Sequence, residues 1–245
     1  MTVEPHHDEG DSATATEAAV QLLRRDIVSG TLTPDSKLKI RELKERYGIG
    51  ASPMREALAQ LSAQGLVQQS SQKGFRVPPL SAAELLDITH SRQLIEIEAL
   101  RLAITHGDAA WEDEIVASYH LLEHYFRRMI PAPTSPSDEF EIRHARFHRA
   151  LIAACPLHLV RAFCETLYEK AARYRLKLRI DYGFSNDCVI AEHRALMEAV
   201  LSRDADRAVR EHHAHIQLTA DILLDVLAHS AEQGDDGFME QSSVR

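Results

Sequence analysis

The chain has 245 residues, of which 44% are apolar and 27% charged, with only 10 Gly and 9 Pro; this excludes disordered, collagen-like and low-complexity classes and leaves room for one large or two modest domains. No uncharged apolar run approaches the roughly 20 residues of a membrane helix, and the acidic start Met1–Gly10 is not signal-like, so a cytoplasmic protein without membrane association is expected. The formal net charge of −9 is unevenly spread: residues 12–80 carry net +4 and residues 81–245 carry net −9.

Residues 1–11 are polar, hold four acids and are expected to be disordered. Ala19, Leu22, Leu23, Ile27 and Val28 recur at helical spacing, which predicts a helix from Ala15 to Ser29, stopped by Gly30. After a turn at Thr31–Ser36, Ile40, Leu43 and Tyr47 line a second short helix closed by Gly48. A third helix is expected to start with Ser52 as N-cap and Pro53 at the first helical position, and to bury Met54, Leu58 and Leu61. Leu66–Gln69 and Phe75–Val77, either side of a polar turn, read as a two-stranded hairpin. Helix-turn-helix plus hairpin, with net positive charge, fits a module that sets one helix into a DNA major groove. The predicted domain runs over residues 12–79.

Ser81 and Glu84 form a capping-box pattern opening a long helix to about Gly107. Further helices are expected at Trp111–Met129, Ser137–Ala154, Pro156–Ile180, Asn186–Ser202 and Asp204–His229, with a Pro-rich linker at Ile130–Ser137. No period-2 run follows Val77. The fold class is therefore mainly α: a winged helix-turn-helix followed by an all-α bundle of about six helices over residues 80–230, then a flexible tail over residues 231–245.

Twelve of the 14 histidines lie in this second module. His144 and His148 stand four apart and share a helix face, His193 lies on the fifth helix of the bundle, and His212, His213 and His215 lie on the sixth. Two histidines from one helix and one from each of two others can assemble a divalent-metal site inside a bundle. The competing reading for each is an ordinary exposed or hydrogen-bonded histidine, and for His212 an exposed face is the expectation. The three cysteines, Cys155, Cys164 and Cys188, have no C-x-x-C spacing and read as buried apolar fillers.

Two segments carry a family resemblance. The run Leu38–Leu58, with its Ser52-Pro53-Met54-Arg55-Glu56-Ala57-Leu58 core, and the following Gly65-Leu66-Val67 and Lys73-Gly74-Phe75-Arg76-Val77 resemble the winged helix of GntR bacterial transcription regulators. The resemblance implies DNA contacts at Arg41, Arg55 and Gly74, to which the neighbouring Ser52, Pro53 and Lys73 are added. Ala51 stands where the family usually has Arg, which alters the operator contacts rather than the binding mode. Residues 81–228 resemble the all-helical effector domain of the FadR-type branch. That implies a divalent metal on His148, His193 and His215, with His144 in place of the family's usual Asp. An all-nitrogen set favours Zn²⁺ or Ni²⁺.

Arg92 matches a family arginine facing the effector, its rival role being an ion pair with Glu96 four residues on; Arg175 is a second effector candidate. The expected partners are an inverted-repeat double-stranded operator, a second copy of the chain in a homodimer, and a small carboxylate effector such as a glutarate-like or 2-hydroxy diacid. The expected function is a metal-dependent, effector-responsive regulator, a repressor. The alternative is a metal-dependent hydrolase using the same histidines, but Glu192 would project about 100° from His193 on a helix, and no H-E-x-x-H motif is present.

Overall fold

The computed structural model describes residues 9–69, 74–128, 138–181 and 186–239. The chain divides into two compact units, Met1–Leu80 and Ser81–Arg245.

The first unit is built on α1 (Glu9–Val28), α2 (Ile40–Tyr47) and α3 (Ala51–Ala63), with strands β1 (Lys37–Leu38), β2 (Gln68–Gln69) and β3 (Phe75–Arg76). Leu23 and Ile27 of α1, Leu43 of α2, and Met54, Leu58 and Leu61 of α3 close one core with Leu66, Phe75 and Val77. Gly48, at φ 69°, ends α2 in the left-handed conformation and donates its amide to the Lys44 carbonyl.

Three details differ from expectation. First, α1 begins at Glu9, inside the segment expected to be disordered; once a helix is nucleated, each further residue adds a bond. Second, α3 is capped by Gly50, not Ser52: Gly50 is extended at φ −60° and ψ 160°, and its carbonyl takes the first helical bond from Met54. Pro53 thus sits at the third helical position, where an amide has no partner inside the helix in any case. Third, the wing has three antiparallel strands in the order β1-β3-β2, with Leu38 opposite Phe75 and Phe75 opposite Gln69.

The second unit consists of α4 (Ala82–His106), α5 (Ala109–Arg128), α6 (Asp138–Ile152), α7 (His158–Asp181), α8 (Asn186–Leu201) and α9 (Ala205–Met239). The Glu84 amide donates to the Ser81 hydroxyl at 3.1 Å, so the capping signal is real. Leu100, Ile115, Leu122, Phe147, Leu151, Leu196 and Val200 form the core, which therefore draws on α4, α5, α6 and α8. Trp111 ties α5 to α6 by donating its indole N–H to the Ala150 carbonyl at 2.8 Å. Arg203, past the end of α8, donates to the Ile104 and Gly107 carbonyls and neutralises the C-terminus of α4. The last helix runs to Met239, ten residues past its expected end, so part of the expected tail continues the helix. The expected linker Ile130–Ser137 lies outside the described residues.

Candidate metal centre and nucleic-acid interface

On the first unit the predicted contact residues are on the surface. Arg41 on α2 and Ser52 and Arg55 on α3 are exposed, while Pro53 and Gly74 are half-buried. Among the described residues nothing lies within 4 Å of the position a Gly74 side chain would take. Lys73 lies outside the described residues. Behind this face the buried Asp26 carboxylate accepts from the Tyr47 hydroxyl at 2.6 Å and from Arg25 at 2.9 and 3.0 Å, joining α1 to the end of α2. Sequence periodicity gave no sign of that polar tie.

Inside the second unit three helices bring four histidines together. His144 and His148 come from α6, His193 from α8 and His215 from α9, all buried. One nitrogen from each lies within 4.8 Å of the other three. Ring centroids are 4.5 Å apart for His144 and His148 and 4.7 Å apart for His193 and His215. The Nε2 atoms of His144 and His148 are 3.2 Å apart; the ligand nitrogens of a tetrahedral zinc with Zn–N near 2.0–2.1 Å would be about 3.4 Å apart.

Three of the four histidines have a second nitrogen tied down. His193 Nδ1–H donates to the Val189 carbonyl at 2.7 Å, and His215 Nδ1 meets the Glu192 carboxylate at 3.0 Å. His144 Nδ1 lies 2.6 Å from the Tyr168 hydroxyl. A carbonyl and a carboxylate only accept, so the imidazoles of His193 and His215 carry their proton outward and aim the bare Nε2 inward. This is the way protein partners set a metal-ligating histidine. His193 Nε2 is buried with no hydrogen-bond partner, an expensive arrangement that a bound cation relieves.

Burial also holds all four imidazoles neutral. It is the largest cause in each case, and the neighbouring cations and imidazoles add to it. His193 and His215 are pushed down to about 3, and His144 and His148 lie well below the ordinary histidine value. Neutral imidazole is the form that binds metal, so donor type, protonation and orientation all fit a divalent cation.

The surrounding charges are paired. Arg92 donates to Glu96 through Nε at 2.7 Å and Nη2 at 3.2 Å, so the ion pair posed as its rival role is formed. His212 is buried, not exposed as expected, and its Nε2 lies 3.0 Å from the same Glu96 carboxylate. Its spacing from His215 put it on the buried side of α9, where a partner from α4 was needed and present. Burial alone would raise the Glu96 carboxyl, but Arg92 and His212 outweigh it and bring it down to about 2. Arg175 is buried, pairs with Glu141 and lies over the Tyr168 ring at 4.4 Å. Tyr168 and Glu141 were not identified from sequence, and Glu192 was weighed there only as a base; Glu141 and Glu192 sit three and one residues before histidines of the cluster, but Tyr168 has no spacing signal at all. Glu192 faces the outer nitrogen of His215, which removes it as a base acting at the cluster's centre.

Residues 15–77 match the family described as bacterial regulatory proteins, gntR family, and residues 87–218 match the FCD domain. The uncharacterized HTH-type transcriptional regulator BphR of Paraburkholderia xenovorans is 38% identical over 207 residues, which is 84% of this chain and 84% of that protein. The HTH-type transcriptional repressor GlaR of Escherichia coli is 36% identical over 209 residues, 84% of this chain and 94% of that protein. Among solved structures, E. coli McbR/YncC superposes with a TM-score of 0.76 at 18% identity, over 86% of this chain and 97% of that one, a likeness of fold. The chain belongs to the GntR family: it is a DNA-binding transcriptional regulator, not an enzyme, made of a gntR winged helix-turn-helix and an FCD domain.

Proposed function

We propose that this regulator is a cytoplasmic repressor that binds an inverted-repeat operator as a homodimer and is released by a small carboxylate bound at a divalent metal. The observation that carries the reading is the convergence of four buried imidazoles, from three helices, on one point. His144, His148, His193 and His215 would hold the ion, and the all-nitrogen set favours Zn²⁺ or Ni²⁺ over harder cations. The ion would supply a Lewis-acid position for a carboxylate oxygen, with Arg92 and Arg175 as the nearby cations. Both guanidiniums already hold a carboxylate, so the effector would compete with Glu96 and Glu141 for them.

At the DNA, the exposed Arg55 on the first turns of α3 would meet base edges, while Arg41, Ser52, Pro53, Lys73 and Gly74 would approach the backbone. One recognition helix reads only a few base pairs, which favours a two-fold dimer. The repressor role is supported by the name of the E. coli relative GlaR. Regulation is a population shift, in which an effector with different affinities for two states of the dimer changes operator affinity; a coupling of about 1–3 kcal/mol gives roughly 5–150-fold.

The test is a gel-shift titration on the protein's own promoter region with zinc-loaded and chelated protein, with and without glutarate and 2-hydroxyglutarate. A carboxylate should weaken binding of the zinc-loaded protein only. An equal effect on the chelated protein would sink the metal-borne effector site.

A further inference from the structure

On α7 three consecutive residues, Arg173, Tyr174 and Arg175, are all buried. Two guanidiniums and a phenol inside one helical turn are costly to desolvate, and apolar residues of similar size often stabilise a core as well. Their partners fall in two places. The Tyr174 oxygen accepts from the Ser81 amide at 3.3 Å, its hydroxyl donates to the Glu84 carboxylate at 2.6 Å, and Arg173 Nη1 lies 3.8 Å from the same carboxylate. Both residues thus hold the first turn of α4. Arg175, about 100° further round the helix, pairs instead with Glu141 on the first turn of α6, three residues before His144. Ser81 is joined to Val77, the last residue in the core of the winged unit, through Pro78-Pro79-Leu80 alone, and the two prolines fix φ over most of that link.

We infer that Arg173-Tyr174-Arg175 relays the state of the histidine cluster to the first turn of α4, where the FCD unit receives the link from the winged unit. The inference rests on the metal-binding reading above. A cation held by His144, His148, His193 and His215 would fix α6 against α8 and α9. Glu141 is then fixed with α6, and Arg175 with Glu141. A helix is stiff from one residue to the next, so what restrains Arg175 restrains Tyr174 and Arg173, and through them Ser81 and Glu84. Such coupling needs no new contact, because ordering one end of a packed chain of residues lowers the cost of ordering the other. A carboxylate that took Arg175 from Glu141, as the proposed effector would, cuts the relay at its middle. Tyr174 is the positioning residue at its far end.

The experiment is NMR-detected hydrogen exchange on the full chain, with and without saturating zinc, in the wild type, Glu141→Gln, Arg175→Met and Tyr174→Phe. The reporters are the amides of Ser81, Glu84 and Leu85, each hydrogen-bonded at the first turn of α4. In the wild type zinc should slow their exchange by about 5-fold or more. Glu141→Gln cuts the relay on the far side of Tyr174 and leaves the reporters' own bonds intact. Their metal-free exchange should therefore stay at the wild-type rate while the slowing by zinc is lost, even though the α6 amides still respond. Packing around Ser81 alone would not answer to a change at Glu141. Arg175→Met makes the same cut without leaving a buried guanidinium unpaired, and decides the matter if Glu141→Gln does not fold. Tyr174→Phe should speed the reporters with and without zinc. A full zinc response of the reporters in the Glu141 and Arg175 variants, wild-type reporters that ignore zinc while α6 responds, or unaltered reporters in Tyr174→Phe would overturn the relay. Zinc that slowed exchange nowhere on α6 would instead overturn the metal-binding reading on which it rests.

Discussion

The two units write their function in opposite places. In the winged unit the residues proposed to act, Arg41, Ser52 and Arg55, are exposed on α2 and α3, and the core beneath them is mostly apolar, with Asp26 a buried carboxylate tied to Tyr47 and Arg25. In the FCD unit the residues proposed to act lie inside: His144, His148, His193 and His215 are buried, each on a helix that also packs the bundle. The difference teaches where a substitution should separate function from folding. A surface reader can lose its contacts and stay folded, whereas a buried sensor cannot change its ligands without changing the packing and the proton balance of the interior.

Acid should separate the units most strongly. The folded-state values of His193 and His215 lie near 3 against an ordinary 6.5, so the unfolded chain takes up protons first as pH falls. Stability is thus complete above about pH 6.5 and is lost on descent toward pH 3. Glu96, lowered from 4.5 to about 2, adds in the same direction, contributing above pH 4.5 and losing that contribution as pH approaches 2. Hydrogen exchange of the metal-free protein between pH 7 and 4 should show protection in α6, α8 and α9 failing before that in α3. Simultaneous failure would erase the contrast.

Next in size is metal. At a free zinc concentration about 1,000 times the dissociation constant the ion should stabilise the FCD unit by roughly 4 kcal/mol. Chelation or His148→Ala should abolish this in a calorimetric scan while leaving exchange protection in the winged unit unchanged. Arg55→Ala comes third: operator affinity should fall by about 1–3 kcal/mol in a gel-shift assay, with an unchanged melting temperature. A variant that lost stability as well would show that α3 is not a free surface. Smallest of all, Arg146→Ala removes an exposed ion pair with Glu114 and should cost under about 1 kcal/mol, even though Arg146 lies between two ligand histidines. A larger loss in denaturant titration would mean that the outer face of α6 helps hold the cluster.

Helix order and the core stripes were legible in the sequence because burial recurs every three to four residues along α1, α3 and α4. The i,i+4 spacing of His144 and His148 likewise required only helix geometry. β1 was not legible, since two residues cannot display a period, and its existence depends on β3 offering an edge. The cap of α3 was misplaced because Ser52 and Pro53 carry the stronger local signal, whereas Gly50 wins through the backbone direction in which it enters the helix. His212 was assigned to the surface because helix position alone does not reveal that Glu96, 116 residues away in sequence, waits opposite it.

What the sequence determined by itself was local: which segments become helices, where basic and acidic halves divide, and which histidines share a face. The family likeness extended this to the four histidines proposed as ligands, which the fold brings together. Only the tertiary structure decided the partners: Tyr168 for His144, Glu192 for His215, Glu96 for both Arg92 and His212, and Glu141 for Arg175. The physical reason is that a helix fixes the direction of a side chain, while the cost of burying its polar atoms is met by whichever residue the packing brings within hydrogen-bond reach. That pairing has no period along the chain.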